Sequence, residues 1–277
     1  MTGIIDIGGG LRGIFGTGVF DRCLDEKISF DHIIGVSAGA ANAASFLGGQ
    51  KGRNFLFYTE YAKRPQYMSF GNILKNGSYL DLSYIYGALS NSDGENPLNY
   101  ENFSKFNGTF LTVATDCITG KPVYFPKEVY KKDDYRVLMA SSCLPVLCRP
   151  VDMNGTLCVD GGASDPVPVK KALLDGCDKL VLILSRPKNE VKDDSIDKKA
   201  AAVLRSRYPL LSASLSECYK RYNENVRIAR DMERDGKAVI ICPDDLNGLK
   251  TLTKDIKKLT DLYNSGYEKA GQILKLL

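Results

Sequence analysis

The stretch "FDHIIGVSAGA" at residues 30–40 decides the fold. Phe30–Val36 is apolar enough for a buried parallel strand, and the small residues of Ala38–Leu47 favour a helix packed closely on a sheet. Between them, Gly35, Ser37 and Gly39 have the spacing G-x-S-x-G. In a strand–turn–helix setting this spacing predicts a nucleophile elbow, which exposes its serine at the carboxyl end of the sheet. The alternative is a glycine-rich packing turn.

A second glycine motif, "GGGLRG" at residues 8–13, precedes this stretch and follows a short apolar strand, Ile4–Ile7. Its spacing also fits a dinucleotide-binding loop, but that site needs an acidic residue near the end of the second strand. Here the acid of that strand, Asp31, lies at its beginning. We therefore predict an oxyanion loop whose main-chain N–H groups face a developing negative charge. Its predicted residues are Gly8, Gly9, Gly10, Arg12 and Gly13, with Arg12 adding positive charge or serving only as a surface or salt-bridging arginine.

The serine needs a base that accepts its proton. His32 is the only histidine in the chain, and it lies five residues before Ser37 on the same predicted strand. From there it cannot easily reach its own elbow, so we expect a packed strand residue. Asp160 is the better candidate, because it ends the apolar strand "TLCVD", and Gly161 and Gly162 leave room beside it. A lysine base stays open, and Asp165 and Asp116 are further candidate carboxylates.

The rest of the pattern predicts an α/β protein with a mainly parallel central sheet. Strands are expected at 108–115, with a hairpin through Thr119–Lys121, and at 179–185. A solvated connection is expected over 186–199. Helices are predicted near 13–26, 133–142 and 210–234, and over most of 246–277. We predict a catalytic domain over 1–200 and a mostly helical C-terminal extension over 201–277, packed on the core.

Composition sets limits on location and partners. The net charge of +4 is a mild excess without a basic block, so no nucleic-acid partner is expected, although contact with an anionic membrane surface is compatible with it. The eight cysteines form no C-x-x-C pair and lie mostly in apolar runs, which is typical of reduced core residues in a cytoplasmic protein. No metal site or cofactor is predicted. The chain starts on a strand, and we expect no signal peptide and no membrane span.

The three motifs "GGGLRG", "GVSAG" and "DGG", in this order, resemble the patatin-like phospholipase family. The segments "ATDCITGKPVYF" and "ASSCLPVLCRPV" are also similar to connecting segments of bacterial members, so the resemblance covers roughly residues 3–185. It implies a three-layer α/β/α sandwich and a Ser–Asp dyad that cleaves lipid acyl esters without a cofactor. Ser37 would be the nucleophile and Asp160 the base.

Other functions stay open at this point. A nucleotide-binding protein and a catalytically silent lipid-binding or protein-binding member are alternatives, and acyl transfer to an alcohol other than water is a third. The head group, acyl position and chain length of the substrate are not determined by the sequence, and neither is the oligomeric state. Five aromatic residues lie in a segment that could cover an acyl pocket, although core packing is their commoner role: Phe55, Phe57, Tyr58, Tyr61 and Tyr67.

Overall fold

A computed structural model describes residues 1–277, with every side chain except that of Ile196. A central eight-stranded sheet has the order β5-β6-β3-β2-β1-β7-β8, with β4 also paired to β3. The neighbours among β1, β2, β3, β7 and β8 are parallel, whereas β4, β5 and β6 pair antiparallel. The strands are β1 (Thr2–Asp6), β2 (His32–Val36), β3 (Thr109–Asp116), β4 (Pro122–Pro126), β5 (Val151–Met153), β6 (Thr156–Asp160), β7 (Lys179–Ile183) and β8 (Ala238–Ile241).

Helices cover both faces of this sheet, so the predicted three-layer α/β/α sandwich is confirmed. The helices are α1 (Ile14–Asp25), α2 (Ala38–Leu47), α3 (Arg53–Thr59), α4 (Phe70–Asn76), α5 (Tyr100–Ser104), α6 (Arg136–Ser141), α7 (Val169–Leu174), α8 (Ser195–Leu204), α9 (Pro209–Arg234) and α10 (Ile256–Lys269). Shorter 3₁₀ turns lie at Gly10–Gly13, Tyr61–Lys63, Lys127–Val129, Gly161–Ala163 and Ala270–Lys275, and a π-helical turn at Tyr84–Ala88.

Successive side chains of the inner strands point to opposite faces of the sheet and so form two apolar cores. In β1, Ile4 points into the core that contains α1, α2 and α10, whereas Ile5 points into the core that contains α7 and the second half of α9. Both side chains are fully buried. A strand buried on both faces is apolar at most positions, which explains why the inner strands appear as nearly continuous apolar runs in the sequence.

Strand register brings the three motifs to one rim of the sheet. Asp6 pairs with Gly35, so the loop after β1 and the elbow after β2 leave the sheet side by side. Val36 pairs with Val113 on β3, and the next residue of β3, Ala114, pairs with Asp160 on β6. Elbow and aspartate are thus two strand spacings apart, roughly 10 Å between strand axes, which two facing side chains can span.

The route by which Asp160 reaches this rim differs from that of a parallel strand. β6 runs antiparallel to β3 and pairs only with its last residues, Ala114–Asp116, which extend beyond the end of β2. The strand therefore approaches the rim from outside the parallel sheet and stops where β2 also stops.

Two predicted segments differ in detail from the structure. The connection predicted over 186–199 is wrong at its end, because α8 starts at Ser195, and within the mostly helical segment 246–277 the helix begins only at Ile256. Asp255 explains the second difference, because its side chain accepts a hydrogen bond from the Lys258 N–H at 3.2 Å and caps α10 there. Residues 242–255 instead form a long connection, named below the β8–α10 loop.

The sheet continues across the predicted domain boundary at residue 200. Val239 of β8 pairs in parallel with Val181 of β7, so the C-terminal part contributes an edge strand as well as helices. The division into 1–200 and 201–277 stays a prediction. Among the described residues, no helix combines the length and the apolar character required to cross a bilayer.

Candidate active site

Ser37 occupies a strained turn between β2 and α2. Its backbone has φ 57° and ψ −132°, a conformation that costs energy for any residue with a side chain. A Cβ on Gly35 would lie 2.7 Å from the Ala40 nitrogen, and one on Gly39 would overlap the Asp6 carbonyl oxygen. Both flanking glycines are therefore required by close backbone packing, as expected of an elbow. The Ser37 side chain stands at the rim and is 8% exposed.

A buried serine that sequence analysis missed holds the elbow in place. The Ser37 N–H donates to Ser141 Oγ at 2.9 Å, and Ser141 Oγ in turn donates to the Val113 carbonyl at 2.6 Å. Ser141 thereby ties the strained turn to β3. Its place at the end of α6, within the segment "ASSCLP", was a signal in the sequence, but it could not be connected to the elbow without the fold.

The glycine loop packs directly on the elbow with left-handed backbone. The φ angles of Gly8, Gly9 and Gly10 are 66°, 116° and 63°. A Cβ on Gly8 would lie 2.8 Å from the Ala38 nitrogen, and one on Gly9 would overlap Ser185 Oγ. Among the hydrogen bonds of the described residues, none uses the N–H groups of Gly9 or Gly10. These two donors, next to Ser37, can receive an oxyanion.

Gly8 and Gly13 serve packing and orientation instead. The Gly8 N–H donates to Asp6 Oδ1 at 2.9 Å, and Asp6 Oδ2 accepts from Asn42 Nδ2 at 2.8 Å. Asp6 is buried, and desolvation raises its pKa to about 6. A Cβ on Gly13 would lie 2.9 Å from the Ala38 Cβ. Sequence analysis missed Asp6, although a carboxylate ending a fully buried strand was a visible signal.

Arg12 is neither a surface residue nor, among the described residues, part of an ion pair. It is 8% exposed, and its Nε is buried without a hydrogen-bond partner among the described residues. Burial, together with the charge of nearby Arg186, lowers the pKa of the guanidinium to about 10. A buried positive charge beside the glycine loop, with no ion-pair partner among the described residues, favours an anionic group in that place.

Asp160 is buried with one carboxylate oxygen engaged and one free. Its Oδ1 accepts the Gly162 N–H at 2.8 Å, whereas Oδ2 has no hydrogen-bond partner among the described residues. Burial raises the pKa of Asp160 to about 6, an effect that the Ser37 hydroxyl and the Gly162 N–H partly offset. The Ser37 hydroxyl therefore lies near this carboxylate, but the two side chains form no hydrogen bond with each other in the structure.

Two cavities meet at Ser37. The first is narrow, with about 50 Å³ open to water-sized molecules, and its wall is mostly apolar. Three of the five predicted aromatic residues contribute to that wall, and Phe55 and Tyr61 do not: Phe57, Tyr58 and Tyr67. The second, named below the polar cleft, has about 440 Å³, and its wall mixes apolar surface with charged side chains of both signs, among them Asp160, Glu190, Arg12, Arg186 and Lys192. Ser37 and Gly10 line both, so the serine stands where an apolar chain and a polar group would join.

The other candidate residues lie elsewhere. His32 Nε2 contacts Asp175 Oδ2 at 2.8 Å at the opposite end of β2, as expected of a packed strand residue. Asp165 accepts a hydrogen bond from the Tyr124 hydroxyl at 2.6 Å, and Asp116 accepts the Ile118 N–H at 2.8 Å within the hairpin turn. Asp31 accepts the Thr2 N–H at 2.9 Å at the far end of the sheet, so it cannot hold a ribose near the glycine loop.

Fold and site together define an α/β protein with a serine elbow at the carboxyl end of a mainly parallel sheet. The chain belongs to the patatin-like phospholipase family, whose model matches residues 8–173. Residues 208–277 match a second family model, a domain of unknown function named DUF6363.

Similar proteins share mainly the first two thirds of the chain. The uncharacterized protein YjjU of Escherichia coli (strain K12) is 30% identical over 185 residues, which are 65% of this chain and 50% of YjjU. Lysophospholipase NTE1 of Meyerozyma guilliermondii is 26% identical over 186 residues, 66% of this chain and 12% of NTE1. The chain thus spans half of the first relative and about an eighth of the second. The crystal structure of VipD from Legionella pneumophila aligns with a TM-score of 0.47 and 15% identity over 99% of this chain and 66% of VipD.

Proposed function

We propose that this protein is a serine acyl hydrolase that cleaves fatty acyl esters of phospholipids or lysophospholipids. The observation that carries the proposal is the place of Ser37, at the junction of an apolar cavity and a polar cleft and beside the unpaired N–H groups of Gly9 and Gly10. An ester lipid has two matching parts, since its carbonyl group joins an apolar chain to a polar head. Membership of the patatin-like phospholipase family and similarity to a lysophospholipase support the same substrate class.

In the proposed cycle Ser37 Oγ attacks the acyl carbonyl while its proton passes to Asp160 Oδ2, the carboxylate oxygen without a partner. The carbonyl oxygen becomes negative and accepts the N–H groups of Gly9 and Gly10, and one such donor is worth about 3 kcal/mol in known cases. The bond to the leaving alcohol then breaks, and that alcohol takes the proton from Asp160. Water attacks the acyl-enzyme by the same route, which releases the fatty acid and restores Ser37.

The environment of Asp160 suits a base in this cycle. An exposed aspartate, with a pKa near 3.9, holds a proton too weakly for efficient general-base catalysis at neutral pH. Burial raises the pKa of Asp160 to about 6, close enough to neutral pH that the carboxylate is ionised yet more basic than usual. Arg12 lies on the glycine-loop side of the cleft, where its charge would favour the oxyanion or an anionic head group.

The direct test is to incubate the purified protein with a mixed lipid extract and compare its products with those of two variants. Ser37→Ala and Asp160→Asn should each abolish fatty acid release and labelling by a fluorophosphonate. His32→Gln is the control, because His32 is engaged with Asp175 away from the site, and it should keep most of the activity. Loss of activity in the histidine variant alone would overturn the dyad, and detectable nucleotide binding without serine labelling would favour the alternative function.

We also propose that the protein rests on lipid surfaces through α4. Phe70 and Leu74 on this helix are 79% and 91% exposed, and Val146 on the turn after α6 is 48% exposed. Exposed apolar side chains of this size, grouped together, mark an interaction surface. The Tyr79 N–H donates to the Leu147 carbonyl at 2.7 Å, which joins the segment after α4 to that turn.

This surface borders the apolar cavity. Met68 and Leu80 flank α4 in the chain and line the cavity wall together with Leu144. A lipid held at the surface would therefore reach Ser37 over a short path. Binding to phosphatidylglycerol–phosphatidylcholine vesicles, measured by co-sedimentation, should weaken several-fold in Leu74→Ser. It should persist in Leu174→Ser, a control on α7 with 85% exposure. Equal loss in both variants would count against this surface.

The eight free cysteines, seven of them buried, suit a reducing compartment, and we propose a cytoplasmic location on that basis. We also propose that residues 1–200 form the catalytic domain and that residues 201–277 form a C-terminal extension packed on its core.

A further inference from the structure

The β8–α10 loop reaches the candidate site from the C-terminal part of the chain. The Leu11 N–H, the next one after the two unpaired N–H groups of the glycine loop, donates to the Thr251 carbonyl at 2.8 Å. A Cβ on Gly10 would lie 2.5 Å from the same carbonyl oxygen and 2.6 Å from Thr251 Cγ2. The loop and the glycine motif are thus packed backbone to backbone, and no larger residue than glycine fits between them.

Two consecutive residues of this loop take part in the two cavities. Leu252 lines the apolar cavity together with Ser37 and Leu11, and Thr251 lines the polar cleft. The C-terminal segment therefore supplies part of the wall on both sides of the serine. The residues that match the patatin-like family model end at 173, far before this loop, so that region of the chain alone does not complete the cavity.

Hydrogen bonds and burial hold the loop in place. The Lys250 N–H donates to Thr253 Oγ1 at 2.9 Å, the Thr253 N–H donates back to the Lys250 carbonyl at 3.1 Å, and Leu249 is buried. At its end the loop enters α10, whose Tyr263 hydroxyl donates to Asp21 Oδ2 on α1 at 2.9 Å. The same helix α1 follows the glycine motif, so glycine loop and β8–α10 loop are anchored to one helix pair.

We propose that the β8–α10 loop selects the acyl chain, with Leu252 as the specificity-determining residue. This assigns a role to part of the segment that matches a domain of unknown function. That the bound group is an acyl chain rests on the proposed function. That Leu252 forms part of the cavity wall does not. Because the cavity is narrow, the volume of one wall side chain decides how much of a chain fits.

Leu252→Ala removes three carbon atoms from the wall and makes room for about two further methylenes of a bound chain. Each methylene that gains burial is worth about fourfold in affinity. The ratio of affinities for long over short chains should therefore rise by about 15-fold, whereas Leu252→Phe should lower this ratio. Leu252→Met nearly conserves the volume and should keep the preference of the unaltered wall.

The test measures binding of saturated fatty acids of 8 to 16 carbons, by displacement of a fluorescent fatty acid, in a Ser37→Ala background. The matched control is Leu246→Ala, the same change in the same loop, since Leu246 lines a separate surface pocket and not the cavity. The proposal is supported if the chain-length preference shifts in Leu252→Ala and Leu252→Phe but not in Leu246→Ala. It is overturned if all three keep the preference of the parent protein.

Hydrolysis distinguishes this inference from the proposed function. Esters of the same chains are offered to the protein with Ser37 intact. If that protein releases no fatty acid while the binding preference still shifts with Leu252, the loop is the selective wall of a lipid-binding site and the proposed activity is wrong. If hydrolysis is efficient but indifferent to Leu252, the activity holds and the role of the loop is wrong.

Discussion

The pH dependence of ester cleavage gives a quantitative test of how Asp160 works. Burial raises the pKa of this carboxyl to about 6, and the proposed base must be ionised before it can accept the Ser37 proton. With that pKa, about 97% of the carboxyl is ionised at pH 7.5 and about 9% at pH 5, so kcat/KM should fall about tenfold between them. An exposed aspartate with a pKa near 3.9 would be more than about 90% ionised at both pH values, and the rate would hardly change.

The assay is initial-rate hydrolysis of a monomeric short-chain ester across pH 4.5 to 8. Asp165→Asn is the matched control, because Asp165 is a half-buried carboxyl whose pKa is also raised but which accepts a hydrogen bond from Tyr124, and its removal should leave the acid limb in place. A profile that stays flat down to pH 5 would refute the view that desolvation tunes the base. If the fall in kcat/KM at acid pH disappears in Asp165→Asn, then Asp165 causes it and its assignment to Asp160 is wrong.

The remaining predictions concern stability and the glycine loop. Because the pKa of Asp160 is higher in the folded than in the unfolded chain, its contribution to stability is fully present below the unfolded value and is lost as pH rises through about 6. At pH 7.5 the free energy of unfolding of Asp160→Asn, measured by denaturant titration, should therefore exceed that of the unaltered protein by up to about 3 kcal/mol. At pH 3.5 the two values should be nearly equal. A lower value for the variant at pH 7.5 would contradict this. Gly9→Ala should reduce kcat at least about 100-fold, since its Cβ overlaps Ser185 and displaces one oxyanion donor. Gly236→Ala is its control, with φ 70° but no atom within 4 Å of the new Cβ, and it should cost about 1 kcal/mol of stability and no activity.

The parts of the fold that sequence predicted are those governed by local chemistry. Ala38–Leu47 was predicted with its observed bounds, because a strained serine turn precedes it and small residues fill it. The hairpin between β3 and β4 followed from Gly120, whose φ is 64°. The predicted elbow, glycine loop and aspartate lie at one rim of the sheet, as expected from their places at the ends of apolar strands.

What the sequence could not predict depends on contacts between distant segments. Ser141 is 104 residues from the Ser37 N–H that it accepts, and Thr251 is some 240 residues from Leu11, so no local pattern connects them. Most of 246–277 was predicted helical, but α10 begins only at Ile256, because residues 246–255 form a loop that contacts the glycine loop, which no local pattern shows. The antiparallel direction of β6 was likewise invisible in its apolar run.

The pairing of β8 with β7 has a practical consequence for dissecting this protein. A chain shortened at residue 200 would keep β7 but lose its hydrogen-bonded neighbour, leaving the backbone groups of Lys179–Ile183 as an open apolar edge. Uncovered edges of this kind recruit strands from other molecules and lead to aggregation. Insolubility of such a fragment would reflect that exposed edge and say nothing about its chemistry, so the segment that completes the sheet must be retained in any minimal version.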